Sequence, residues 1–297
     1  MGVADPPGRG RTAPLPSTGI LVRRAYVRAV ECARQAIPEP HHVRHLAVLS
    51  MLKDGGPLSQ EELSAVAHVN RTLVVKLVDG LEERGLVERR RDPHDRRRYA
   101  LFPTKDGLDL LDRLQPALDA ADSQLTQSLT RAEQRRLKQL LRSLVAEDDD
   151  PLVESLADRA GYLVSRAHGR MRTQATDALG PLDMAPRHFG ALSILSSEQP
   201  CSQQHLAVCL GISPPAVVPF VDEMEDAGLI KRTRNPRDRR AYDLTLTPKG
   251  GRRLSRAQNA ARGMRAGIEQ RLGPDGEQEL RELLGKLVGA VSGRRDL

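Results

Sequence analysis

The 297-residue chain has no tryptophan, and its three phenylalanines and four tyrosines make an aromatic fraction of only 2%. Proteins that grip single-stranded nucleic acid do so largely by stacking bases on aromatic rings, and this chain has little from which to build such a platform. Cysteine is scarce as well. Cys32, Cys201 and Cys209 are odd in number and lack a short metal-ligand spacing, which argues against both a disulfide framework and a zinc ribbon and leaves buried free thiols as the plain expectation. No resolving cysteine stands near Cys32 in sequence to make it a redox switch. No apolar run approaches the ~18 residues of a membrane span. Also missing are a glycine-rich phosphate loop, a Gly-x-Ser-x-Gly elbow, a His-Glu-x-x-His pair and a dinucleotide fingerprint, so no catalytic residue, no metal ligand set and no cofactor is expected. Residues 1–18, rich in Pro, Gly and Arg, lack the apolar core of a signal peptide and read as a disordered tail. The expected location is the cytoplasm.

What is present is charge and repetition. The chain is 29% charged and 39% apolar, with a net charge of +7, and its arginines gather in two places. Such a balance favours a polyanionic partner, and with few aromatics duplex DNA is the expected one. Around residues 70–102, Val74, Leu77 and Leu81 fall at helical spacing on one face. Asn70 suits the N-cap and Gly85 the left-handed stop. Leu86, Val87 and Glu88 then read as a strand, Arg89, Arg90 and Arg91 lead into the turn Asp92-Pro93-His94-Asp95, and Arg96, Arg97, Arg98 and Tyr99 open a returning strand.

The same grammar returns around residues 213–245, with Val217, Phe220 and Met224 buried, Gly228 as stop, a turn at Asn235-Pro236-Arg237-Asp238, and Arg239 and Arg240 before Tyr242. His45 and His188, Pro57 and Pro200, and Tyr99 and Tyr242 are each 143 residues apart, so the chain is a tandem duplication.

Upstream of the first copy, helices are expected at about 20–36 and 41–53, the second with Leu46, Leu49 and Leu52 inward. Ser59 and Glu62 form a capping box for a short helix. That helix and the one after it make a helix-turn-helix, and the basic hairpin gives it a wing. Downstream, Thr104 and Thr247 are expected to cap long helices, the first carrying an apolar stripe from Leu108 through Leu114 and Leu118 to Leu125. Thr130 and Glu133 cap a further one. Stripes this wide are what helices crossing at a dimer-type interface require. The fold class is therefore mainly α with small β-wings: two winged helix-turn-helix units, 19–146 and 153–293, joined by a long-helix interface and an acidic linker at 147–152.

This pattern of helix-turn-helix, Asp-Arg-Arg wing and flanking long helices resembles the MarR family, the multiple antibiotic resistance regulators. The resemblance rests on residues 73–87, on Asp92-Pro93-His94-Asp95-Arg96-Arg97 and on Leu101-Phe102-Pro103-Thr104, and both halves share it. Family members look like one such half and work as homodimers, so the fused pair implies a single-chain pseudo-dimer, a repressor in function and a monomer in chain count, reading an imperfect palindrome. By resemblance Asn70, Arg71, Thr72 and Lys76 face the major groove, while Asp95 orients Arg97 into the minor groove, flanked by Arg96 and Arg98. In the second half Ser213, Pro214 and Pro215, with Arg237, Asp238, Arg239 and Arg240, take those places. Pro219 stands where the first half has Lys76, removing a cation and threatening a kink.

The resemblance also implies a small anionic or phenolic effector, and Arg44-His45 and Arg187-His188 are the cation pairs placed to hold one. His41 and His45 share a helix face near Glu39 and His42. No histidine between Thr104 and Leu129 completes a zinc site, however, so these read as solvated. The competing reading is a winged scaffold that docks a partner protein on its apolar stripes, against which the two matched basic hairpins tell.

Overall fold

The computed structural model describes residues 17–67, 69, 71–91, 99–146, 152–210, 212–235 and 242–289. The chain opens with helix α1 (Thr18–Ala36), then α2 (Val43–Gly55), α3 (Gln60–Ala67) and α4 (Arg71–Glu82), a hairpin of β1 (Val87–Arg91) and β2 (Tyr99–Pro103), and helices α5 (Lys105–Arg113), α6 (Gln115–Thr126) and α7 (Arg131–Val145). The second half runs α8 (Ala160–Leu179), α9 (Pro186–Glu198), β3 (Cys201–Ser202), α10 (Gln203–Leu210), α11 (Pro214–Asp226), β4 (Ile230–Arg234), β5 (Tyr242–Leu246), α12 (Pro248–Ala260) and α13 (Arg262–Leu287).

Local chemistry explains most of these boundaries. Ser59 and Glu62 close their capping box, with Glu62 Oε2 accepting from the Ser59 amide at 2.7 Å. Thr104 and Thr247 each accept an amide N–H at N3, and Thr130 and Glu133 form a full capping box. Gly85 and Gly228 both sit at φ +67°, where a side chain is strained, and each turns a helix into its wing. Among the stripe residues of α4, Val74, Val78 and Leu81 are buried while Leu77 is half-buried, so the core face is rotated slightly from the one expected.

The long helix expected after Thr104 is broken. Leu114 lies between α5 and α6 at φ −95°, ψ 2° because Pro116 has no N–H to give Asp112 and disfavours the helical conformation of Gln115. The corresponding segment of the second half breaks at Ala261, and α13 changes direction at Gly273 (φ 70°) before Pro274.

Each hairpin is antiparallel, Val87 opposite Pro103 and Ile230 opposite Leu246. A third strand, β3, pairs with β5 in the second half, whereas in the first half a single bridge from Leu58 to Leu101 stands in its place and the sheet stays two-stranded. Where the wing meets the next helix the backbone leaves no room for a side chain. A Cβ on Gly107 would lie 2.2 Å from the Leu86 carbonyl oxygen, and one on Gly250 2.0 Å from that of Leu229.

The two halves share one core. Leu21, Val22 and Ala25 of α1, Leu137, Leu141 and Leu144 of α7, Leu163, Val164 and Ala167 of α8, and Leu280, Leu283, Leu284 and Leu287 of α13 are buried together. A second cluster fills the other winged unit, with Leu192, Leu206, Val221 and Met224 at its centre. Equivalent positions meet each other across the join. Tyr26 stacks on His168 at 4.2 Å between ring centroids, and Arg136 pairs with Glu279, its counterpart 143 residues on, at 2.7 Å. Thr18 donates to the buried Glu277 at 2.7 Å, and Lys286 reaches Glu133 at 2.5 Å.

Three arginines cross from the first helix of one half to the helix-turn-helix of the other. Arg24-Ala25 and Arg166-Ala167 correspond in the two halves, as do Val66 and Cys209. Arg166 donates to the Val66 carbonyl, and Arg24 to the Cys209 sulfur at 2.7 Å. Arg23, beside Arg24, caps the C-terminus of α10 by donating to the Leu210 carbonyl. Each helix-turn-helix is thereby held to the opposite half.

His168 and His45 are both pushed down to about 4 from the usual 6.5, chiefly by burial, with neighbouring cations adding to it. A histidine that stays neutral when folded but takes a proton when unfolded makes the unfolded state the larger binder of protons between these two values, so stability falls as pH drops from 6.5 to 4. Urea midpoints should fall over that window, and His168→Gln should flatten the fall. Gly107→Ala and Gly250→Ala should each cost about 1–3 kcal/mol by overpacking, read in the same melts.

Candidate nucleic-acid interface

In each half the helix-turn-helix presents its second helix, α4 or α11, to solvent. Arg71, Thr72 and Lys76 are all exposed on the outer face of α4. On α11 the exposed residues are Pro215, Ala216, Val218, Pro219, Glu223 and Asp226, following the exposed Ser213, so the helix carries no cation along its whole length. The helix is not interrupted at Pro219. α11 continues through it to Asp226, because the one amide it removes would have served Pro215, itself exposed to water. The side chain of Pro214, and Asn70, Asp95, Arg96, Arg97, Arg98, Arg237, Asp238, Arg239 and Arg240, lie outside the described residues.

The base of each wing is fixed by an arginine that sequence reading passed over. Arg89 on β1 bridges Asp79 and Glu82 of α4, and Arg232 on β4 bridges Asp222 and Glu225 of α11 at the equivalent positions. Glu225 is held below the usual carboxylate range by the Arg232 guanidinium and amide, and Arg232 is raised in return. The pairing ties the hairpin's direction to the helix it follows. Its signature was available in the sequence: Asp-x-x-Glu one turn apart near the end of each helix, with an arginine seven residues beyond. Arg90 packs over Phe102, 5.2 Å from its ring centre.

The four residues expected to hold an effector separate. A cavity of about 130 Å³ lies between α1, α2, α6 and the start of α8, lined by Tyr26, Arg44, Leu118, Asp122, Arg159 and Tyr162 among others. Arg44 borders it and reaches the Tyr26 hydroxyl at 3.4 Å. Arg159, paired with Asp119 at 2.8 Å, keeps a buried Nε without a partner.

His45 does not line the cavity, and Arg187 and His188 are taken up elsewhere. Glu223 of α11 accepts from Arg187 at 2.8 Å and lies 3.0 Å from His188, while the Phe220 ring stacks on His188. In the first half Gly80 stands where α11 has Glu223, and Leu77 where it has Phe220, so Arg44 has no such trap. His41 and His45, expected to be solvated, are half-buried, and each has a buried Nδ1 with no hydrogen-bond partner. His42 instead caps α2 by accepting from the Arg44 amide.

Two winged helix-turn-helix units facing outward from a shared helical core define a tandem reader of the winged class. Residues 42–98 and residues 185–242 each match a model of the MarR family. A putative transcriptional regulatory protein for the hcr operon of Thauera aromatica is 36% identical over 103 residues, 35% of this chain and 62% of that protein. The chain thus spans less than two thirds of that relative. An HTH-type transcriptional repressor of Mycobacterium bovis is 31% identical over 134 residues, 44% of this chain and 96% of the relative. The repressor NicR of Pseudomonas putida is also 31% identical, over 44% of this chain and 84% of NicR. Among solved structures, the repressor CouR on a 23-mer DNA duplex is 30% identical, covering 48% of this chain and 98% of CouR, with a TM-score of 0.38. The protein belongs to the MarR family, as a tandem fusion of two of its domains.

If Arg232 and Arg89 set the wings' directions, Arg232→Ala and Arg89→Ala should each raise amide exchange in the wing strands, by roughly tenfold for the ~1–2 kcal/mol of two partly exposed charged hydrogen bonds. Hydrogen exchange read by mass spectrometry measures it.

Proposed function

We propose that the chain is a double-stranded-DNA-binding transcriptional repressor that acts as a single-chain pseudo-dimer. The observation that carries this reading is the matched pair of basic wings, each clamped by arginine and carboxylates to an exposed recognition helix. Duplex DNA offers a major groove for a helix and a flanking minor groove for a basic hairpin, at two points related by a two-fold axis. Two units, 19–146 and 153–293, answer both. The shared core of α1, α7, α8 and α13 supports the monomeric reading, since each half covers in the other the surface a homodimer buries between chains. The relatives' names, repressors of transcription, agree with it. Among the described residues no single helix is long and apolar enough to cross a membrane, and a cytoplasmic site of action is part of the proposal.

The two heads contribute unequally. α4 brings Arg71 and Lys76 to the groove and α11 brings prolines and valine, so the operator is an imperfect palindrome whose stronger half-site is read by the first unit. Wing arginines Arg97 and Arg240, each with its neighbouring Asp95 or Asp238, are assigned to the minor groove, where a narrow negative cleft favours guanidinium.

An effector enters the same scheme through the cavity between the halves. Its size is close to the ~150 Å³ of a void that takes up one benzene ring, its walls are mostly apolar, and Arg44 and Arg159 supply positive charge. A small aromatic anion fits, with its ring among Leu118, Leu125 and Tyr162 and its charge on the arginines. Because α1 and α8 wall the cavity and also carry the crossing Arg24 and Arg166, a ligand that parts these helices changes the spacing of the heads.

Footprinting on the chain's own upstream DNA, with solution mass measured in parallel, tests the reading. Protection of two unequal half-sites by one chain, weakening steeply with salt, is expected, and protection only by two chains sinks the pseudo-dimer. Lys76→Ala should weaken binding by about 1 kcal/mol or more and reduce the salt slope by about one, whereas Pro219→Lys should change it little. Equal effects refute the unequal heads. Arg159→Ala should abolish release by an aromatic carboxylate such as salicylate while leaving DNA affinity unchanged, as read by fluorescence anisotropy.

A further inference from the structure

The second helix-turn-helix carries a cluster that its twin lacks. His205 and Cys209 stand one turn apart on α10, and Glu198 ends α9 just before it. His205 Nε2 lies 2.6 Å from Glu198 Oε2 and 3.4 Å from Cys209 Sγ, and one ligand atom from each of the three falls within 4.8 Å of the others. Tetrahedral zinc, with sulfur at about 2.3 Å and nitrogen or oxygen at about 2.0 Å, sets its sulfur and nitrogen ligands about 3.5 Å apart and its nitrogen and oxygen ligands about 3.3 Å apart. His205 and Cys209 are thus already at ligand separation, and Glu198 has less than an ångström to withdraw.

A positive charge already sits there. The Arg24 guanidinium, reaching across from α1, is 2.7 Å from the Cys209 sulfur and 3.4 Å from the Glu198 carboxylate. Cys209 is buried while the His205 side chain is half exposed, which leaves a way in from solvent on the histidine side. In the first half the equivalent positions hold Gly55, Glu62 and Val66, so only one of the three offers a ligand atom there.

We propose that Glu198, His205 and Cys209 bind one zinc-class divalent ion, with solvent as fourth ligand, and that the ion enters by displacing Arg24. On binding, the Cys209 thiol loses its proton to solvent and its sulfur bonds the metal, while His205 gives up the Nε2 proton that lies against Glu198, keeping one proton on Nδ1, and offers the freed Nε2 lone pair. Mixed nitrogen, sulfur and oxygen donors of this kind suit zinc and cobalt better than magnesium or calcium. Displacing Arg24 breaks a hydrogen bond that holds the second reading unit to the first half.

Titrating the reduced full-length chain with Co²⁺ tests the site directly, without DNA. One equivalent should bring up a near-ultraviolet sulfur-to-cobalt charge-transfer band and strong visible bands of a tetrahedral centre, and zinc should bleach both. Cys209→Ser should remove the charge-transfer band. His205→Ala, at a half-exposed position that folding tolerates, should weaken binding at least tenfold. Arg24→Gln should tighten it several-fold by vacating the site, and Glu62→Gln should change nothing. No band at one equivalent, a band that survives Cys209→Ser, affinity unmoved by His205→Ala, or weaker binding in Arg24→Gln would overturn the proposal.

Discussion

Everything outward-facing in this molecule depends on the packing of α1 and α7 against α8 and α13. These helices bury leucines from both halves in one core, so neither half completes its apolar surface alone. Burial at roughly 25 cal/mol per Å² makes such a seam worth far more than the ion pairs around it. The polar contacts at its edges do something else. Arg166 holds the Val66 carbonyl and Arg24 the Cys209 sulfur, each from the opposite half. The placement of the two helix-turn-helix units therefore rests on the seam and on these contacts at its edges.

Duplication gave both halves the same scaffold, and single residues then set them apart. On the two reading helices Lys76 corresponds to Pro219, Gly80 to Glu223, and Leu77 to Phe220. The last two differences convert an open cation beside a cavity into one locked by a carboxylate and a ring. A few side chains on one helix thus decide whether it presents a cation to solvent and whether the arginine on the helix beneath it is paired.

The sequence made the local architecture readable because local rules governed it. Caps at Ser59, Thr104, Thr130 and Thr247 and the left-handed glycines 85 and 228 all follow from side chains within four residues of the feature they set. The break at Leu114 was readable in principle from Pro116 but was overridden by a leucine stripe that continues through it. The cavity between the halves, the crossing arginines and the Glu198-His205-Cys209 cluster were not legible, since each joins residues whose spatial nearness depends on how helices distant in sequence pack. Counting cysteines by their spacing could not reveal a ligand set completed by a histidine and a glutamate.

The pair of Arg136 and Glu279 carries one more implication. In an association of two identical chains, a residue on the two-fold axis must face its own copy, so an arginine there would meet an arginine. Fusing the halves removes that restriction, and here equivalent positions hold opposite charges, just as the stacked pair Tyr26 and His168 joins two different rings. Arg136 finds its opposite charge in Glu279 of the second half, so this contact favours joining two unlike halves over joining two like ones.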